Sequence, residues 1–265
     1  MLFKFTVMLC CHRPPVLLPY AIKTVLGQSH TNLELFVVCD GTPAETAACA
    51  RSFADTDPRV SVFDCEKGAR NGEAHRHAAL AEATGDFVAH IADDDLWFPD
   101  HLKELGKLLT EVEFGNLIYM GILQNDEPFF LVDDLSKPAT RQKMLDAPPW
   151  NFFGPTVAGY RLSTYRRLPE GWAPAPADVY ADLYMWRKFL RLEPISVGTR
   201  VALQSLCLEN SNRLHMTLDE RRTETARWFA IISEPVSLAT FVARCESRFA
   251  ALYPAAATNE SVPDT

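Results

Sequence analysis

No stretch of this chain stays apolar over the roughly 18–20 residues that a bilayer-spanning helix needs. The start, Met1 to Cys11, is apolar but shows no basic leader region and no small-residue cleavage site, which predicts no signal peptide. Basic residues are in the minority, 26 against 34 acidic ones, for a net charge of −8. That balance argues against a nucleic-acid binder, which has to neutralise many phosphates. The seven cysteines include no C-x-x-C spacing and are odd in number, so a zinc ribbon and a paired disulfide framework are poor readings. Buried reduced thiols of a cytoplasmic protein are the plainer account. Walker A, G-x-G-x-x-G and G-x-S-x-G patterns are all missing. The commonest nucleoside-triphosphatase, dinucleotide and α/β-hydrolase readings fall with them.

What is present is an ordinary globular composition, 48% hydrophobic and 23% charged over 265 residues, ample for a buried core. Phe5 to Cys11, Leu33 to Cys39, Val60 to Phe63 and Phe87 to Ala92 read as strands. Helical patterns follow them at Pro15 to Leu26, Thr42 to Phe53, Glu73 to Ala83 and Pro99 to Leu109. The second of these opens on Thr42-Pro43-Ala44-Glu45, a capping-box spacing with Pro at the first helical position. Strand and helix alternating at this pitch predict βαβ units, an α/β fold and a largely parallel sheet.

The second half is less regular. Strands are expected at Leu117 to Leu123, at Phe129 to Val132 and within Ser196 to Leu208, and helices at Lys137 to Ala147 and Asp178 to Leu192. Leu218 to Leu252 reads as helix interrupted near Pro235, and the tail after Pro254 reads as disordered.

Ligands of open parallel sheets bind outside the carboxyl ends of the strands. Here those ends carry Cys11-His12-Arg13-Pro14, Asp40-Gly41-Thr42, Cys65-Glu66-Lys67-Gly68 and Asp93-Asp94-Asp95. Three adjacent carboxylates repel one another unless they are solvated, partly protonated or holding a cation. Oxygen ligands alone favour a hard ion, Mg²⁺ or Mn²⁺. A solvated helix N-terminus is the competing reading of the triplet, and an ordinary turn that of Asp40.

Five fragments in order resemble the family 2 glycosyltransferases, nucleotide-sugar enzymes of the GT-A fold. They are Cys11-His12-Arg13-Pro14, Ala21-Ile22-Lys23-Thr24-Val25-Leu26-Gly27-Gln28-Ser29, Glu34-Leu35-Phe36-Val37-Val38-Cys39-Asp40-Gly41-Thr42, Arg76-His77, and Gly85-Asp86-Phe87-Val88 through Asp93-Asp94-Asp95-Leu96-Trp97. The resemblance is dense over residues 5–110 and thinner beyond. It implies a Rossmann-like, mostly parallel sheet flanked by helices, with an added acceptor-side region and C-terminal helices. Residues 1–125 would be the nucleotide-sugar half, 126–217 the acceptor and catalytic-base half, 218–253 the closing helices and 254–265 the tail.

The resemblance also implies roles. Asp40 would accept the base N–H of a uridine-type nucleotide, with the backbone near Cys11 lining the base pocket and His12 and Arg13 beside it. Asp93 would approach the ribose, and Arg76 would help bind the donor. Asp94 would ligate a Mn²⁺ or Mg²⁺ bridging the diphosphate, supported by Asp95. Ala181-Asp182-Leu183-Tyr184-Met185-Trp186 resembles the family's base-bearing helix, so Asp182 would be the general base, with Asp178 one turn earlier as its competitor. Asn212-Arg213-Leu214-His215 resembles a further family segment, making His215 a candidate metal ligand or diphosphate donor. Trp150, Phe152, Phe153, Tyr160 and Trp172 are candidates for stacking on sugar, against ordinary core packing.

Ala92, Cys39 and Ala181 depart from the family pattern, as do His12 and His77. The expected activity is inverting sugar transfer from a nucleotide-diphosphate donor to a glycan, lipid-linked or protein acceptor, in the cytoplasm or peripherally at its membrane face. Two other classes stay open: an inactive sugar-nucleotide-binding scaffold, and a metal-dependent phosphohydrolase or nucleotidyltransferase.

Overall fold

The computed structural model describes residues 3–208 and 210–257. A seven-stranded sheet organises the chain. Its strands are β1 (Phe5–Cys11), β2 (Leu33–Asp40), β3 (Val60–Cys65), β4 (Phe87–Ala92), β6 (Phe114–Leu117), β9 (Ala158–Arg161) and β10 (Val197–Arg200), in the spatial order β10-β6-β9-β4-β1-β2-β3. Every pairing is parallel except those of β9, which runs against both β4 and β6. Two short ribbons lie apart from it, β5 (Leu96–Trp97) with β11 (Ser205–Leu206), and β7 (Tyr119–Ile122) with β8 (Pro128–Leu131).

β1 and β2 are apolar runs because both their faces are covered, the usual condition of a parallel sheet. Glu34 is the one acidic break in β2. It accepts bonds from Lys4 Nζ, Thr6 Oγ1 and Thr84 Oγ1, each at 2.6 Å. Burial opposes its charge, but these donors outweigh burial and hold the carboxyl down at about 2. β9 escaped the sequence reading. Its four residues, Ala-Gly-Tyr-Arg, show no alternation, and Gly159 is there because a Cβ would stand 2.9 Å from Leu105 of the covering helix.

The helices are α1 (Leu18–Leu26), α2 (Ala44–Ala54), α3 (Glu73–Ala81), α4 (His101–Glu111), α5 (Pro138–Leu145), α6 (Leu162–Tyr165), α7 (Ala181–Leu190), α8 (Leu218–Ser233) and α9 (Pro235–Leu252). The capping box expected at Thr42 does not form: Pro43 occupies the N-cap of α2, with no side-chain cap bond. A box forms instead at α8, where Thr217 Oγ1 accepts from Glu220 N–H and the Glu220 carboxylate accepts from Thr217 N–H. Pro235 ends one helix and opens the next, and Glu234 caps α9.

The core has two parts. One surrounds the main sheet; the other holds Leu96, Phe98, Ile118, Met120, Leu206 and Leu208 against Trp228, Ile232, Phe241 and Phe249 of α8 and α9. No single helix among the described residues is long and apolar enough to cross a membrane. Of the expected tail, residues 258–265 lie outside the described residues, and Pro254–Ala257 forms one further helical turn.

Candidate active site

Parallel register brings the strand ends together. Cys11 of β1 faces Cys39 of β2, and Cys10 faces Ala92 of β4, so His12, Arg13, Asp40 and Asp93 leave the sheet along one edge. A cavity of about 190 Å³ opens there, lined by Cys10, Cys11, Arg13, Asp40, Arg76 and Asp93 among others. His12 stands at its exposed rim, where partial desolvation and the charges of Arg13 and Lys67 push the imidazole toward neutrality.

Asp40 is 3% exposed and each of its oxygens carries one bond, one from Gly68 N–H at 2.6 Å and the other from the Lys67 ammonium, which leaves lone pairs on both. Burial works against its charge, but Lys67 and the Gly68 N–H prevail and keep the carboxyl below its ordinary range. Gly72 sits over it with φ +69°, and a Cβ there would lie 2.6 Å from Asp40 Cγ. Gly72→Ala therefore combines a left-handed backbone with a collision, and a loss of about 1–3 kcal/mol in urea unfolding is the expected result.

The triplet lies in the turn from β4 to β5, not at a helix start, since α4 begins at His101. Asp93, Asp94 and Asp95 are 4%, 6% and 7% exposed, so free solvation does not account for them. Arg13 reaches Asp93 Oδ1 at 3.1 Å and Asp94 Oδ2 at 3.0 Å. Arg221, from the first turns of α8, reaches the same Asp94 Oδ2 at 2.9 Å and also donates to Leu208 O at 3.2 Å. Asp95 faces inward, accepting from Thr156 Oγ1 at 2.5 Å and from Leu208 N–H at 2.9 Å. Burial, followed by the neighbouring Asp94 charge, pushes the carboxyls of Asp93 and Asp95 upward.

Among the described residues no group of three or more His, Cys, Asp or Glu side chains is arranged to hold a metal. Asp94, Asp95 and His215 are thus not gathered into one ligand set; His215 is exposed near Glu220 at the start of α8. A divalent ion on Asp94 would sit on a carboxylate whose Oδ2 already meets two guanidiniums. Like unit charges about 4 Å apart repel by about 4 kcal/mol at an effective dielectric of about 20, and a divalent ion doubles that. The carboxylates as arranged do not fit Mn²⁺ or Mg²⁺.

Arg76, from α3, connects this region with the other half of the chain. Its Nε donates to Cys10 Sγ at 3.1 Å, an Nη to Asn71 O at 3.1 Å, and its guanidinium lies 4.8 Å from the centroid of the Trp172 ring. Beyond it opens a second cavity of about 490 Å³, bordered by Arg70, Tyr180, Asp178 and Asp182. Asn71, Arg76 and Pro155 line both spaces, so the two adjoin. Asp182, in the first turn of α7, accepts from Leu183 N–H at 2.8 Å and from Asn151 Nδ2 at 2.9 Å. Burial dominates and raises its carboxyl to about 6, against those bonds and the Arg76 charge. Asp178 shares the cavity but not the helix. α7 starts at Ala181, so the expected i, i+4 relation between the two aspartates is corrected to a turn residue preceding the helix.

The model of glycosyl transferase family 2 matches residues 6–169, more than half of the sequence. The chain belongs to that family.

Similar family 2 proteins include EpsE of Bacillus subtilis, 26% identical over 170 residues, or 64% of this chain and 60% of EpsE. The β-1,3-glucosyltransferase acting on GalNAc(5)-diNAcBac-PP-undecaprenol of Campylobacter jejuni is 27% identical over 118 residues, 43% of this chain and 38% of that protein. The chain thus spans less than two thirds of either relative. Among solved structures, S. aureus TarS with UDP-GlcNAc superposes with a TM-score of 0.57 at 16% identity, over 86% of this chain and 66% of that one. The mannosyltransferase PcManGT of Pyrobaculum calidifontis, with GDP-Man and Mn²⁺, gives 0.56 at 17% identity, over 95% and 81%. The fold is GT-A.

Within this family 2 chain most of the aromatic candidates are core. Phe152, Phe153, Tyr160 and Trp172 are at most 3% exposed. Trp172 donates its Nε1–H to Tyr160 Oη at 3.2 Å and offers its face to Arg76. Trp150 is half-buried, stacked on Phe152 and capped by Lys143. The departure at Cys39 is a buried one, its Sγ 3.7 Å from that of Cys11. Arg221, Asn151 and Lys67 are the site residues that sequence reasoning missed. Lys67 stood on a strand end already singled out; nothing in the local sequence ties Arg221 to an aspartate 127 positions earlier.

Proposed function

We propose that the protein transfers a sugar from a nucleoside-diphosphate donor, a UDP-sugar, to an acceptor hydroxyl with inversion. The observation that carries this reading is the pair of adjoining cavities, Asp40 in one, Asp182 in the other and Arg76 lining both. The donor lies with its base toward Asp40 and its ribose toward Asp93, and its anomeric carbon faces the larger cavity. The acceptor oxygen attacks that carbon as the bond to the β-phosphate oxygen breaks. The bond's electron pair leaves with the nucleoside diphosphate, and the acceptor proton passes to Asp182. Arg13 and Arg76 face the charge that develops on the leaving group. The complexes of TarS with UDP and UDP-GlcNAc, and of PcManGT with GDP-Man, support the donor class.

The test is a thermal-shift screen of UDP-, GDP-, CMP- and dTDP-sugars, followed by assay of slow donor hydrolysis. A UDP-sugar is expected to raise the melting temperature and to be hydrolysed slowly. No shift with any sugar nucleotide would sink the proposal. Asp40→Ala removes the base acceptor, and a drop in UDP affinity of about tenfold or more is expected by calorimetry.

A further inference from the structure

Two of the protein's own cations already bind within the triplet that resembles a metal site. Asp94 Oδ2 receives two guanidinium groups, one from the end of β1 and one from α8, at 3.0 and 2.9 Å. The two arginines differ in access. The side chain of Arg221 is 5% exposed and that of Arg13 is 23% exposed, and Arg13 lines the cavity. Arg221 is held in place by a helix with a capping box, whose Trp228 and Ile232 are packed into the second core.

We propose that Arg13 and Arg221 together take the place of a divalent cation, so that this chain binds its nucleoside diphosphate without metal. The inference rests on the donor-binding reading above. Arg221 neutralises Asp94 from the protein interior, and Arg13, positioned by Asp93 and Asp94, presents its guanidinium to the diphosphate. A planar guanidinium suits this duty, because it offers paired N–H donors to phosphate oxygens and keeps its charge at any working pH. Asp93 Oδ1 and Asp94 Oδ2, which could otherwise face a metal, hold the arginines instead.

Calorimetric titration of UDP into the full chain, in EDTA and again in Mn²⁺, tests this. The expected affinity is the same in both to within about threefold, and Arg13→Gln lowers it in EDTA by about tenfold or more, the range for loss of a charge-assisted bond. Arg221→Gln frees a lone pair on Asp94, and its UDP binding is expected to become dependent on Mn²⁺. Paramagnetic resonance of Mn²⁺ alone should register tighter ion binding to that variant than to the parent. Thermal melts establish that each variant is folded, and Arg13→Gln, at a partly exposed position, serves if Arg221→Gln is not. UDP binding that is tenfold tighter with Mn²⁺ in the parent, or untouched by Arg13→Gln, overturns the inference and leaves the donor reading standing. Binding of neither UDP nor GDP in either buffer overturns both.

Discussion

Asp182→Asn is expected to abolish sugar transfer while leaving UDP affinity within a few-fold of the parent. Proton removal by a positioned base is typically worth ~10²–10⁴-fold, and an amide of the same shape cannot accept the proton. The remaining contacts survive the exchange, since Leu183 N–H and the Asn151 amide still meet an oxygen and a rotatable amide. Steady-state assay beside calorimetry separates the two effects, and equal loss of kcat and binding would refute the assignment. The pH profile gives a second check. The base acts only when ionised and its carboxyl sits at about 6, so activity should fall as pH drops through that value.

Stability runs the opposite way. A carboxyl whose folded pKa is raised binds its proton more tightly in the folded protein, so its contribution is fullest in acid and is lost as pH rises through about 6. Asp182→Asn should therefore melt higher than the parent at pH 8 and converge with it near pH 4.

Asp94→Ala should be the most destabilising change at the site, at about 3–5 kcal/mol in urea unfolding, the usual cost of stranding a buried charge. It removes the carboxylate that Arg13 and Arg221 share, so Arg221, at 4% exposure, loses that counter-charge, although its bond to Leu208 O remains and Arg13 keeps Asp93. The double variant Asp94→Ala, Arg221→Met removes both charges and should regain most of that loss. If the double variant is as unstable as the single one, the pair is not what Asp94 contributes.

The N-terminal part of the fold was legible because parallel strands buried on both faces leave nearly unbroken apolar runs. β1, β2, β3 and β4 all fall within two residues of their expected bounds. β9 was not, since four residues including a glycine carry no period, and its place beside β4 is decided by packing on α4. Asp40, Asp93 and Asp94 stood out as polar residues ending apolar strands, and the sheet does bring them to one edge. Their partners could not be read the same way. Lys67 acts through a loop that lies against the backbone of Gly41, and Arg221 through the docking of a helix on a separate core. Asp182 was singled out by resemblance alone; its raised pKa comes from burial against residues far away in the chain.

The dependence of Asp94 on α8 also bears on what counts as the working unit. The segment shared recognisably with family 2 ends at residue 169, before α7, β10, β11 and both long C-terminal helices. A recombinant piece trimmed to that boundary would retain Asp40, Arg76 and the aspartate triplet, yet lack Asp182 and leave Asp94 without its interior counter-ion. Domain-swap experiments among related transferases face the same constraint: the helical pair has to travel with its own triplet, because the two have been matched in charge.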